Sequence, residues 1–358
     1  MKSHRQTTVL YNVEAGTEAI IPLHDAPPGL EASIIVISFN TRDVLRECLE
    51  AARTECRSLL EQGFEVETIV VDNGSHDGSI EMMEASFPEV KLIQSAVNLG
   101  FGVANNVAIQ QARGRYLVLI NSDAFFFPGM LARAIQHMDD APNCAIGGAK
   151  LLYRSGKWQP SSRTFHSLGV DFAVLTGLSD YFPKSKIFGR INRTFADLEQ
   201  PAKVDWITGA FLILRPSTLA EVGLFDPAFF LYYEEVDLCL RMKEAGYEVW
   251  FWPDIVITHI CGESSRQIKT HELSPRAAQV VLWRMRSTLL YYRKHHGWRV
   301  LLAKWMEQTL YRVTTLRNSV SRNPIRKDRS RHHKALIALM EQAWVETQGG
   351  RVSPPRPW

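Results

Sequence analysis

From Ala32 the chain alternates short, largely apolar runs with amphipathic stretches, and this limits what it can fold into more than any other feature. Residues 33–39 (SIIVISF) and 116–120 (YLVLI) offer almost no polar face, as expected of strands covered on both sides. Between them, residues 42–62 carry Leu45, Cys48, Leu49, Ala52, Cys56 and Leu59 at helical spacing. Residues 67–72 (ETIVVD) and 90–94 read as further strands, and 79–86 and 103–111 as helices. Successive βα units of this kind predict an α/β fold with a doubly wound, mostly parallel, Rossmann-like sheet. In such sheets a ligand lies beyond the carboxyl ends of the strands. The polar residues at those ends are therefore the candidates for chemistry.

Later elements are a strand-like stretch at 205–214, a helix at 232–245 and a strand at 247–256. From Ser274 the pattern is helical and basic. The length of 358 residues suits about two units at roughly 150 residues each. The expected division is an N-terminal extension or short β appendage over 1–31, an α/β domain over 32–265, itself in two halves at 32–124 and 125–265, and a basic helical C-terminal region over 266–358. The five scattered cysteines lack the short spacings of a zinc or redox motif and are expected to be reduced thiols. No apolar leader precedes residue 31, and no run approaches the ~18 residues that span a bilayer. The expected location is cytoplasmic, with any membrane contact peripheral, on the inner face of the plasma membrane.

The net charge of +3 conceals an uneven distribution. Between Arg276 and Lys334 stand fifteen Lys or Arg and two acids, Glu307 and Asp328, so this stretch is +13 and the remainder −10. Trp298, Leu301, Leu302, Trp305, Met306 and Leu310 recur at helical spacing within it, as in a helix lying on an anionic lipid surface. A helix packed on the catalytic domain, or a dimer interface, would produce the same pattern.

Three strand tips are polar: Ser38-Phe39-Asn40, Asp72-Asn73-Gly74-Ser75 and Asn121-Ser122-Asp123. A carboxylate at a strand end beside a glycine turn suits hydrogen bonding to a ribose or base edge. A second one at the next tip suits a hard divalent cation. Each could instead cap the following helix. Residues 98–106 (NLGFGVANN) form a glycine-containing loop into a helix, whose amides can receive a phosphate. Further on, Glu234, Glu235 and Asp237 open a helix, with Glu234 and Asp237 on one face and Arg241 placed to pair with Asp237. Acids there also suit the helix dipole. His259 closes a strand before Ile260-Cys261-Gly262-Glu263.

Together these segments resemble the inverting family 2 glycosyltransferases of the GT-A fold. The resemblance runs from SIIVISFN through VVDNGSHDGS, NLGFGVANN and LVLINSDAFFFPG to the DWITGA…YYEEVDLCLRM stretch and HICGES, covering about residues 32–265. With GKWQPSSRTF at 156–165, it is most similar to the rhamnosyltransferase-like branch of bacterial envelope polysaccharide assembly.

The resemblance implies a role for each site residue. Asp72 would bind base or ribose beside Ser38, Asn40 and Asn73, and Asn98, Gly100, Asn105 and Asn121 would line the nucleotide-sugar. Asp123 would be the main carboxylate for Mg²⁺ or Mn²⁺, at a D-x-D motif whose first acid is Asn121, and His259 would complete the metal or diphosphate site. Glu235 would be the catalytic base, with Glu234 and Asp237 supporting and the assignment open to moving to Asp237. Trp206, Gly209 and Ala210 would lie on the acceptor side. The donor would be a dTDP-, UDP- or GDP-linked sugar, and the acceptor a glycan or polyprenyl-diphosphate-linked glycan. An anionic membrane surface or a second copy could be further partners.

A sugar nucleotidyltransferase would need a glycine-rich triphosphate loop where this chain has SFNTRDVL. A non-catalytic protein binding nucleic acid or another anionic surface through its basic segment is the other alternative. Nucleic acid is not the expected partner.

Overall fold

In the computed structural model, which describes residues 9–11, 27–260, 275–319 and 323–354, the apolar runs become the centre of one large sheet. The first part comprises β1 (Val9–Tyr11), β2 (Leu30–Ser38), α1 (Arg42–Leu60), β3 (Glu65–Asp72), α2 (Ser79–Ser86), β4 (Lys91–Ser95), α3 (Phe101–Ile109) and β5 (Tyr116–Asn121). There follow β6 (Ala124–Phe126), α4 (Met130–Asp140), β7 (Cys144–Leu152), β8 (Trp158–Gln159), β9 (Ser162–Arg163), α5 (Leu168–Leu175) and α6 (Leu178–Tyr181). Then come β10 (Ala202–Lys203), β11 (Trp206–Ile207), β12 (Phe211–Leu214), α7 (Pro216–Val222), α8 (Glu234–Glu244) and β13 (Glu248–His259). The C-terminal helices are α9 (Pro275–His296), α10 (Val300–Ser319) and α11 (Pro324–Glu346), with a 3₁₀ turn at Gly297–Arg299.

The sheet order is β1-β4-β3-β2-β5-β12-β7-β13-β10. Strands β2 to β5 pair in parallel, with Ser38 opposite Asp72 and Ile37 opposite Asn121, so the three polar tips reach the same edge. Strand β12 enters antiparallel between β5 and β7, and β7 pairs in parallel with β13. Strand β1, inside the expected N-terminal appendage, joins the sheet beside β4.

Side chains alternate along the strands, so each face has its own core. Ile34, Val36, Val70 and Val118 pack with Leu45, Leu49, Met83 and Leu131 of α1, α2 and α4. Ile35, Ile69, Val71 and Leu119 face α3 and α8 and share a cluster with Leu282, Met285 and Leu289 of α9, Ala303 of α10 and Met340 of α11. The basic region is therefore continuous in its core with the sheet. No helix among the described residues is long and apolar enough to cross a membrane.

Helix boundaries moved where tertiary contacts intervene. The helix expected from 232 begins at Glu234, because Tyr232 and Tyr233 both adopt left-handed backbone angles (φ 69° and 70°). The helix expected from 103 begins at Phe101, whose N–H donates to the Phe230 carbonyl at 3.0 Å. Cys48, Cys56, Cys144 and Cys239 are free thiols, and Cys261 lies outside the described residues.

Because α9 shares the sheet's core, Leu289→Ala should lower global stability by about 3 kcal/mol and leave a single cooperative transition in urea. A separate, unshifted transition for the sheet would contradict this.

Candidate functional site

The strand-tip edge is tied together by its own polar side chains. Asn40, itself left-handed (φ 53°), donates its N–H to Ser75 Oγ at 2.9 Å and accepts the His76 N–H at 2.9 Å. Ser38 Oγ meets Thr41 Oγ1 at 3.1 Å, and Thr41 donates to Ser122 Oγ at 3.1 Å. These bonds join the tips of β2, β3 and β5. Asp72 is fully buried at the end of β3; Oδ1 accepts the Ser75 N–H at 2.9 Å, while Oδ2 has no partner. Burial pushes its pKa up, against the hydrogen bonds from Ser75.

Asn73 and Asn98 build the loop that follows. Asn73 Nδ2 donates to Asn98 Oδ1 at 3.0 Å and to the Gly100 carbonyl, and its Oδ1 accepts the Leu99 N–H at 2.8 Å. Asn98 Oδ1 also accepts the Gly100 N–H at 2.9 Å. Gly100 has φ 82°, and a Cβ there would stand 2.3 Å from the Phe230 carbonyl oxygen. Only glycine lets this loop approach the segment leading into α8.

At the tip of β5, Asn121 Nδ2 lies 3.4 Å from His259 Nε2 at the end of β13, and Asp123 Oδ1 lies 3.3 Å from the same nitrogen. The other ring nitrogen of His259, Nδ1, faces Gln159 Oε1 at 3.1 Å. That oxygen accepts from Nδ1–H, and Nε2 is turned towards Asp123 and the Asn121 amide.

Glu234 and Glu235 open α8. Glu234 is buried beside Gly102 of α3 and Glu235 is half-buried; each has a buried Oε2 without a partner. Burial raises the pKa of both, and the Glu235 charge raises that of Glu234 further. Glu235 is raised less, because its own amide, the Gly209 amide, Arg163 and His166 favour its charged form. A continuous path joins this acid to the strand tips. Glu235 accepts from Gly209, the Asn121 N–H donates to the next carbonyl, Ala210, at 3.1 Å, and Asn121 touches His259.

Several expected ligand-facing residues are engaged internally. Asn105 is buried and bonds back to the Phe101 carbonyl at 2.9 Å, and Asn73 holds the 98–100 loop. Trp206, expected on the acceptor side, is buried, with its indole N–H donating to the Thr164 carbonyl at 2.9 Å. Asp237, expected to support the base, is fully buried: Arg241 bonds Oδ2 at 2.8 Å, while Lys294 and His295 reach Oδ1 at 2.6 and 2.7 Å. Burial opposes its ionisation, but His295, Arg241 and Lys294 outweigh it and hold the carboxyl at about 2. A carboxylate so bound cannot take a proton near neutral pH, and its part is to anchor α8 on α9.

Sequence reasoning missed Gln159, Arg163, His166, Lys294 and His295. Gln159 and Arg163 lie in GKWQPSSRTF, noticed only as a point of resemblance, and Lys294 and His295 are concealed in the basic region. No local signal links them to partners as far away in sequence as the 58 residues between His295 and Asp237. The Gly262–Ser265 part of the last motif lies outside the described residues.

The mostly parallel sheet with polar strand tips and a helical C-terminal region has the GT-A fold, and likeness to named glycosyltransferases makes this chain a glycosyltransferase. Residues 33–206 match the family Glycosyl transferase family 2. It is 26% identical over 283 residues to the N-acetylglucosaminyl-diphospho-decaprenol L-rhamnosyltransferase of Mycobacterium tuberculosis H37Rv, covering 75% of this chain and 88% of that protein. It is 24% identical over 269 residues to the rhamnosyltransferase WbbL of Escherichia coli K12, covering 72% and 91%. The mannosyltransferase PcManGT of Pyrobaculum calidifontis, solved with GDP-Man and Mn²⁺, shares the fold with a TM-score of 0.52 at 14% identity, covering 89% of each chain.

Asp237→Asn should destabilise the protein by about 3 kcal/mol, since it leaves buried cations facing a neutral amide. A carboxyl with its folded pKa depressed to about 2 stabilises above the unfolded value, and this contribution fades as pH falls from about 4 towards 2. The wild-type advantage in urea unfolding should therefore shrink over that window. A constant difference from pH 7 to pH 2 would remove Asp237 as the anchor.

Proposed function

We propose that this glycosyltransferase moves a sugar, of the rhamnose type, from a nucleoside-diphosphate donor to a hydroxyl of a lipid-diphosphate-linked glycan, with inversion in a single displacement. One observation carries the reading. Among the described residues, the buried carboxylate oxygens without a hydrogen-bond partner belong to Asp72, Glu234 and Glu235, all at the predicted site. A buried acceptor left unmatched by the fold favours a ligand that supplies the donor. For Asp72 Oδ2 that donor is an N–H of the base or a ribose hydroxyl. For Glu235 it is the acceptor hydroxyl, whose proton it takes as the oxygen attacks the anomeric carbon.

Asp123 and His259 fit a divalent cation. A carboxylate oxygen and an imidazole nitrogen 3.3 Å apart are groups such an ion takes as ligands, and the Nδ1–H bond to Gln159 orients the ring as in metal-bound histidines. When bound, the ion would supply positive charge to the diphosphate as it leaves. Among the described residues no three His, Cys, Asp or Glu side chains converge, so diphosphate or water oxygens would complete the shell.

Similarity to the N-acetylglucosaminyl-diphospho-decaprenol L-rhamnosyltransferase supports a lipid-linked acceptor and an L-rhamnosyl donor, and similarity to WbbL supports a rhamnosyl donor. In this reading residues 32–124 hold the nucleotide and 125–265 the acceptor and base. The C-terminal helices buttress the base through Asp237, and the protein works at the cytoplasmic face of a membrane.

Glu235→Gln should lower kcat by about 10³-fold with nucleotide affinity unchanged, as measured by turnover and calorimetry. Near-normal turnover would remove Glu235 as base. Because Glu235 must be ionised to act and burial raises its pKa, kcat/KM should fall on the acid side from a pH above the ordinary Glu range. Asp123→Ala should abolish the Mn²⁺-dependent part of the thermal shift produced by a nucleoside diphosphate. An unchanged shift would place the cation elsewhere.

A further inference from the structure

Exposed large apolar side chains cluster on two neighbouring stretches. The first follows the site and carries Phe172, Tyr181 and Ile187, 44%, 79% and 71% exposed. The second is the 3₁₀ turn and α10, with Trp298, Trp305 and Leu316 at 63%, 67% and 68%. Leu301, Leu302 and Val313 are exposed at spacings of three or four residues from these, so the α10 side chains form one stripe. Helix α5 packs against α10, which brings the two stretches side by side.

The charge on both is predominantly positive. Residues 172–196 contain Lys184, Lys186, Arg190 and Arg193 and one acid, the exposed Asp180. Residues 298–319 contain Arg299, Lys304, Arg312 and Arg317; the acid there, Glu307, is buried and bonded by Arg284 and Tyr311. A second copy is a poor occupant, because a twofold contact sets a patch against itself and would juxtapose these cations. Apolar and tryptophan side chains with mostly cations around them match the interface of an anionic bilayer.

We infer that the stripe of α10 and the adjoining 172–195 stretch form one docking face for an anionic lipid surface, with α10 lying in its plane over about 30 Å. The face adjoins the site. His166, just before α5, has its ring 4.8 Å from that of Tyr233, the residue before Glu234. A protein docked this way meets a lipid-linked hydroxyl at Glu235; that purpose rests on the proposed function, whereas the docking face does not.

The test is co-sedimentation of the full chain, without substrates, with phosphatidylcholine vesicles and with vesicles containing 30% phosphatidylglycerol. We expect binding to the anionic vesicles that is more than tenfold weaker on phosphatidylcholine alone and falls with added salt. Trp298→Ser with Trp305→Ser should abolish it. Arg312→Glu and Arg317→Glu should each weaken it about fivefold or more. All four side chains are exposed, and the thermal shift with a nucleoside diphosphate and Mn²⁺ should be unchanged in every variant. Equal binding to both vesicles, or binding to neither, overturns the inference. So does a concentration-dependent doubling of mass that the double Trp variant abolishes, which assigns the face to a second copy. Vesicle binding without any nucleotide shift would overturn the proposed function and leave the docking face standing.

Discussion

The buried carboxylate of Asp237 ties α8 to α9 and, through Arg241, to the end of α7. Its partners are Arg241 on its own helix and Lys294 and His295 on α9, so one acid fixes both the turn of α8 and the seat of the C-terminal helices. Arg241 in turn reaches the Val222 and Leu224 carbonyls, extending the clamp to the end of α7. A charge taken out of water is tolerable only when so paired. Burial instead pushes Glu234 and Glu235, which open α8, towards the neutral form, so the pKa directions diverge within four residues.

Backbone strain is placed in the same spot. Tyr232 and Tyr233 are left-handed immediately before α8, and Asn40 is left-handed at the tip of β2. Each such residue costs of order 1 kcal/mol or more and persists only where surrounding contacts dictate it. Here they do: Ser287 Oγ donates to the Leu231 carbonyl, and the rings of Tyr233 and Tyr291 lie 5.2 Å apart. Both supports come from α9. The helical region is thus part of the catalytic frame as well as the bearer of an exposed apolar stripe.

The parallel half of the sheet was legible in the sequence because its signals are local. Apolar runs, helical spacing and polar tips all lie within a few residues of one another, and the boundaries of α1, α2 and β5 agree with them closely. The insertion of β12 between β5 and β7 was not legible, since a four-residue apolar strand has no marker for its neighbour. Asp72 and Glu235 were singled out from residue type and position, yet the same signals drew in Asn73, Asn105 and Asp237, whose bonds are internal. A polar residue near a site looks alike in sequence whether it faces a ligand or the frame.

What the sequence determined by itself is the α/β order, the shared edge of the strand tips and the division between an acidic body and a basic end. These follow from periodicity and charge, which need no partner to be read. Tertiary structure alone decided which carboxylates remain unpaired and which basic residues are internal. Lys294 and His295 belong to the basic end by count, yet they lie against Asp237, while Arg312 and Arg317 stay on the surface. Whether a charge is an anchor, a base or a docking residue depends on what burial removes from water around it, and burial exists only after the chain has closed on itself.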